Sequence, residues 1–232
     1  MRIISIHQPN YLPWLGFFDK ISKSDTFVVF DNVQFPRGKQ HFGHRNLIKS
    51  PNGEGKWLTV PLIGKSEMKN FNEIEINYNG WNSDHLNLIK SYYSKAPYFK
   101  DYFPELESVL SNRYTSLAEM NVSIIKIILG WLDINTEIVL CSDLCKDQEI
   151  VGGDRIMFLL KKLGATHYVS GTGPGSMKYI NEEEFKNNSI ELRWQHYVHP
   201  RYSQLFGEFK ENMSVIDLIF NRGRDSREIL VN

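Results

Sequence analysis

Only two cysteines occur in 232 residues, Cys141 and Cys145, four positions apart. One pair builds no disulfide framework, and CxxxC brings no further metal ligands beside it, so both read as ordinary thiols of a reducing compartment. No run approaches the roughly 18 apolar residues that a membrane span requires. The opening MRIISIHQPN breaks its apolar stretch at His7, too early for a signal peptide. Net charge is lacking too: 27 Lys and Arg balance 27 Asp and Glu, and the pI is about 7.1. A balanced chain has no bulk field to hold nucleic acid or an anionic membrane, which leaves small ligands and local basic pockets. These absences predict a cytoplasmic protein with no membrane insertion and no nucleic-acid partner.

Several signatures of chemistry are also missing. There is no G-x-S-x-G elbow of an ordinary α/β-hydrolase and no D-x-D of a metal-dependent glycosyltransferase. The glycine-rich stretch near residue 171 lacks both the Gly-Lys-Ser/Thr ending of a P-loop and the dinucleotide fingerprint. Present instead are 41% hydrophobic and 23% charged residues, a globular balance. The 14 Phe, 11 Tyr and 5 Trp serve core packing, and they also suit the rigid walls of a pocket for a ring-shaped ligand.

Along the chain, the β-branched run 2–6 stops before Pro9 and reads as a first strand. Leu15, Phe18 and Ile21 recur at helical spacing over 14–23, and TFVVF at 26–30 is a compact buried strand. Strand, helix and strand within about 30 residues is a βαβ start, which favours a parallel sheet. Residues 36–56 form a basic segment with a Ser50-Pro51-Asn52-Gly53 turn. Strands follow at 57–61 and 71–78. Helical periodicity then dominates 84–132, with Pro104 opening one helix and 114–132 forming the strongest. Further strands are expected at 137–141, 166–171 and 190–197, and helices at 153–163 and 214–221. The fold class is therefore α/β: a single domain over 1–232 with a mostly parallel Rossmann-like sheet and an added helical lobe at about 84–132.

Four constellations carry candidate chemistry. In HQPNYLPWLGFFDK, His7 falls at the carboxyl end of the first strand, where α/β sheets bind ligands. Gln8 and Asn10 supply donors, Tyr11 and Trp14 flat surface, and Gly16 a close approach to free N–H groups at a helix start. In DNVQFPRGKQHFGHR, Asp31 ends the second strand beside the expected place of His7, and Arg37, Lys39 and Arg45 could clamp an anion. His41 and His44 fix no third ligand and make no metal site. In YVSGTGPGSMKYI, the N–H groups of Gly171, Gly173 and Gly175 could cradle a phosphate or carboxylate, with Ser170, Thr172 and Lys178 beside them. Gly173 or Gly175 is expected in backbone closed to other residues, or against ligand. In WQHYVHPRYSQLF, Tyr202 is a pocket candidate, whereas His196 reads as a satisfied structural histidine. Each group also has a plainer reading as a turn, a solvated loop or a packed side chain.

HQPNYLPWLGFFDKI, SDTFVVFDNVQF, HRNLI, WLTVP, KAPYF, LGATHYVSG and SVIDLIFNRG resemble the WbqC-like protein family, and the resemblance extends along nearly the whole chain. It implies a role in the biosynthesis of O-antigen, lipopolysaccharide or another surface polysaccharide, without a particular reaction. A more distant likeness links the opening βαβ unit to HIGH-type nucleotidyltransferases, some of which activate a carboxylate as its adenylate and join it to an amine. HQPNYLPWLGFF lacks the second histidine of that motif. The expectation is a transferase or ligase acting on a nucleotide-linked amino sugar or another small anionic substrate. Its catalytic residues would be His7, Asp31 and Arg45, with His7 and Asp31 as one polar pair in which the carboxylate keeps the imidazole protonated. The cofactor stays open, with ATP and Mg the choice that acid activation would bring, and a homo-oligomer is compatible with the sequence. Two other classes remain: a non-catalytic sugar-nucleotide binding or assembly protein, and an enzyme such as a glycosyltransferase or hydrolase.

Overall fold

The computed structural model describes residues 1–36, 41–63, 68–146 and 149–231. In chain order, the first elements are β1 (Ile3–His7), α1 (Leu15–Ser22), β2 (Thr26–Val29), β3 (Arg45–Lys49), β4 (Gly55–Thr59), β5 (Leu62–Ile63) and β6 (Glu75–Ile76). Three helices follow, α2 (Trp81–Tyr93), α3 (Phe99–Ser111) and α4 (Leu117–Trp131). Then come β7 (Glu137–Leu140), α5 (Cys141–Leu144), α6 (Gly152–Lys162), β8 (His167–Gly171), α7 (Pro174–Met177), α8 (Glu182–Asn187) and β9 (Glu191–Gln195). The chain ends in α9 (Val215–Arg222) and α10 (Ser226–Val231). It divides into two compact units, one of Met1–Gln8, Asp19–Asn32 and Asn135–Val198, the other of Pro9–Phe18, Val33–Ile134 and His199–Asn232.

The first unit is built on a 5-stranded parallel sheet in the order β7-β2-β1-β8-β9. The alternation of IISIH sets its two faces. Ile4 and Ile6 point into a cluster with Ile156, Leu159 and Leu160 of α6, Tyr168 of β8 and Phe185 of α8. Ser5 points the other way and is bonded by the Ser24 hydroxyl at 2.7 Å, just beyond α1. β2 is buried along its whole length, as its TFVV sequence requires. The chain winds from β1 outward to β2 on one side, and later from β8 to β9 on the other. The order therefore reverses between β1 and β8, the topological switch point of an open α/β sheet.

The second unit holds α2, α3 and α4, packed through residues such as Ile89, Leu106 and Ile124, and the antiparallel ribbon β3–β4. Ser116 caps α4 by accepting a bond from the Glu119 N–H at 3.2 Å. Asn121 donates to the carbonyls of Pro9 and Gly43, at 3.0 and 2.7 Å. The buried Asp217 accepts bonds from Tyr93, Tyr202 and Gln204, each at 2.8 Å, and so ties α9 to α2 and to the segment after β9.

Three local expectations are corrected. β3 lies inside the stretch read as a basic loop. Residues 71–78 hold only the two-residue β6, because the Glu73 carboxylate accepts the Asn70 N–H at 2.7 Å and turns 71–73 into a 3-10 helix. Pro104 does not open a helix but sits inside α3. The Ser50–Gly53 turn is present, with Gly53 at φ +83°.

Candidate functional site

The carboxyl ends of all five parallel strands lie on one edge of the first unit, and His7 ends β1 at the switch point. β1 and β8 are in register at Ser5 and Val169, so continuing by two residues sets His7 alongside Gly171. His7 Nδ1 lies 2.8 Å from the Gln8 carbonyl. A carbonyl only accepts, so Nδ1 carries the proton and Nε2 the lone pair. The residue is partly buried. Burial first, and then Lys20, push its pKa down to about 3, against the Gln8 bond. The imidazole is therefore neutral near pH 7, not protonated as the sequence reading expected.

Lys20 is the residue that the sequence reading missed. Only 3% of its surface is exposed, and its Nζ donates to the Ile6 carbonyl at 3.1 Å, one residue before His7. Removing an ammonium from water disfavours its charge, and burial lowers the pKa to about 7. Its neighbour Asp19 is buried as well. That carboxylate pairs with Lys23 at 2.7 Å and accepts a bond from Gln195, the last residue of β9, at 2.7 Å. The sequence did hold a signal. α1 is buried nearly all round, and charged residues inside such a helix must be paired or put to use.

Asp31 has a different partner from the one expected. One carboxylate oxygen accepts the Ser142 N–H at 2.9 Å and the other the Ser142 hydroxyl at 2.5 Å. It thus fastens the end of β2 to the first turn of α5. Asn32 continues the junction, donating to the Cys145 carbonyl at 2.8 Å and accepting from the buried Arg155 at 2.9 Å. Cys141 and Cys145 are reduced and buried, and burial pushes the Cys141 thiol up to about 12, which suits inert packing.

The glycine-rich turn also departs from its reading. Gly173 has φ −69°, Gly175 is not among the positive-φ glycines, and an added Cβ at either meets nothing within 4 Å. Neither position demands glycine. Pro174 at the first position of α7 shapes the turn, and Thr172 and Lys178 are exposed. Ser170 is buried, whereas Gly171 keeps partial exposure. The demanding pair is elsewhere: Gly152 has φ +59°, and a Cβ on Gly153 would stand 2.7 Å from the Tyr179 carbonyl oxygen.

The remaining candidates belong to the second unit. Tyr11 is fully buried, with its hydroxyl 2.9 Å from His85 Nδ1 and its ring edge-on to Trp81, so it is core and no pocket wall. Asn10 is buried too. At Gly16 an added Cβ would lie 2.2 Å from the Trp14 ring, so glycine is there to let that indole fold back over the first turn of α1. Tyr202 is held by Asp217. Arg45 opens β3 with its Cζ 3.6 Å from the centre of the Trp57 ring. Arg37 and Lys39 lie outside the described residues.

Among the described residues, no group of three or more His, Cys, Asp or Glu could hold a metal ion, and no helix is long and apolar enough to cross a membrane. No solved structure matches the chain. A protein of Mycobacterium tuberculosis named "Uncharacterized protein Rv1507c" is 32% identical over 235 residues, covering 99% of this chain and 98% of that protein. The model of the WbqC-like protein family matches residues 8–229. Nearly the whole chain is thus accounted for by one family and one full-length relative, and the chain belongs to the WbqC-like protein family.

Proposed function

We propose that the chain is a transferase or ligase that modifies a nucleotide-linked amino sugar in surface polysaccharide biosynthesis, at the carboxyl edge of its parallel sheet. Family membership supports the pathway. The observation that carries the chemistry is the buried Lys20, bonded to the Ile6 carbonyl one residue before a neutral His7, at the β1/β8 switch point. A group with a pKa near 3 is a poor proton acceptor at neutral pH, whereas one near 7 is matched to the task. Lys20 is therefore the proton carrier, and His7 positions a hydroxyl or amine through the Nε2 lone pair. When an amine attacks an activated acyl carbon, the nitrogen–carbon bond forms, the leaving group departs with its electron pair, and the amine's proton passes to Lys20. ATP with Mg is the activator that a carboxylic acid donor would use; Mg would rest largely on phosphate oxygens. Asp31 supports the edge through Ser142 instead of touching the reacting atoms.

The test is an assay of the full chain with nucleotide-linked amino sugars, carboxylic acids and ATP, read by mass spectrometry. An acylated sugar nucleotide is expected, with a rate that rises with pH through about 7 as Lys20 loses its proton. Lys20→Met should lower kcat at least about 100-fold while the protein stays folded. Tight binding of the sugar nucleotide without turnover would instead make this a non-catalytic binding protein.

A further inference from the structure

The β3–β4 ribbon of the second unit carries a surface that the mechanism does not use. Register places Arg45 opposite Thr59 and Leu47 opposite Trp57, so Arg45 and Trp57 are diagonal neighbours on one face. The guanidinium lies over the indole at stacking distance, 3.6 Å from Cζ to ring centre. Phe42 joins them, with its ring centre 6.1 Å from that of Trp57 and a tilt of 31°. Trp57 and Phe42 are each 39% exposed, an unusual amount for two adjacent large aromatics. The other end of the same face is closed: Lys49 turns in to the Glu208 carbonyl, and Gly55 lies under Leu47 and Met213. Among the described residues, the Arg45 end is the more exposed one, with Trp57 and Phe42 beside it.

Arg45 Nε is buried and meets no acceptor among the described residues. A guanidinium held flat on a ring presents its N–H groups at its edge, in the fork that suits a carboxylate or phosphate. Beside it the partly exposed rings of Trp57 and Phe42 add apolar surface.

We infer that Arg45, Trp57 and Phe42 form a receptor for an anionic sugar, whose carboxylate or phosphate sits on the guanidinium edge and whose C–H face rests on the rings. This goes beyond the function proposed above and rests on it only for the class of ligand. Charge complementarity favours a small anion over an apolar protein partner.

The experiment titrates the full chain by calorimetry with glucose 1-phosphate, glucuronate, glucose and inorganic phosphate. One or both anionic sugars should bind, and the stronger of the two identifies the anion; glucose and inorganic phosphate should bind at least about tenfold more weakly. Arg45→Lys keeps a charge but loses the fork, and should weaken the anionic sugar about tenfold. Trp57→Leu should weaken the sugar similarly and leave inorganic phosphate unchanged, whereas Trp57→Phe, which keeps a ring, should retain most of the affinity. Thermal unfolding checks each variant, and a Trp57→Leu protein that fails to fold leaves the Arg45→Lys and inorganic phosphate comparisons to decide. The titration reads binding alone, so its outcome does not depend on whether the chain turns over a sugar nucleotide. Overturning results are no binding of either anionic sugar, equal binding of inorganic phosphate, or full affinity in Arg45→Lys.

Discussion

At the scale of single residues, Lys20 and Gly16 show opposite limits of reading from sequence. Gly16 looked like an opening for an anion, because a glycine at a helix start permits one. Its use is steric: the Trp14 ring occupies the place of its missing Cβ, 2.2 Å away. Gly16→Ala should displace that indole and cost about 1–3 kcal/mol of stability, measurable by urea unfolding with a change in tryptophan emission. Unchanged stability and emission would refute the packing role. For Lys20, no local feature in DKIS shows that its tip ends under the Ile6 carbonyl. The place of His7 at a strand end was legible, but its charge state was not, because that depends on Lys20 and on burial. The pH dependence follows with its sign. The folded pKa, about 3, lies below the unfolded value of 6.5, so the unfolded state binds more protons between them. The contribution is fully present above pH 6.5 and is lost as pH falls toward 3. His7→Gln should flatten that part of the stability–pH curve, measured by urea unfolding from pH 7 to pH 4. An unchanged slope would place the ring in a more solvated setting.

At the scale of elements, β1, β2 and β8 were legible because β-branched runs bounded by Pro, Asp or Gly have few alternatives. β3 was not. RNLIK carries a charge at each end, and those charges are accommodated only by distant partners: Trp57 under Arg45 and the Glu208 carbonyl at Lys49. The apparent alternation of 71–78 failed for a local reason, the Asn70–Glu73 capping turn. Asp31 belongs to this scale too, since it links β2 to α5 through both oxygens. Asp31→Ala removes that cap and leaves Ser142 without its acceptor, which should cost about 1–3 kcal/mol. Once the lost folded fraction is corrected for, turnover should fall far less than in Lys20→Met. A loss of turnover in fully folded Asp31→Ala as large as that in Lys20→Met would return Asp31 to the reacting centre.

At the scale of the whole molecule, the parallel order was within reach of sequence reasoning, since β1 to β2 is too short a path for anything but a single helical crossover. The division into two units was not. The chain leaves the first unit after Gln8, returns at Asp19, and leaves again after Asn32, so each unit is assembled from segments far apart in sequence. Composition does not change at those crossings. The interleaving also splits one dense motif, HQPNYLPWLGFFDK: His7 and Lys20 belong to the sheet unit, while Tyr11, Trp14 and Gly16 pack in the other. The central claim is that the reacting groups meet substrate over the switch point between β1 and β8. A crystal structure with a nucleotide-linked amino sugar bound tests it most directly. The account predicts the sugar or its phosphates at the carboxyl ends of β1 and β8, with His7 Nε2 or Lys20 Nζ within about 3 Å of a ligand polar atom. A ligand bound with both groups still sealed in protein, or away from that sheet edge altogether, would contradict it.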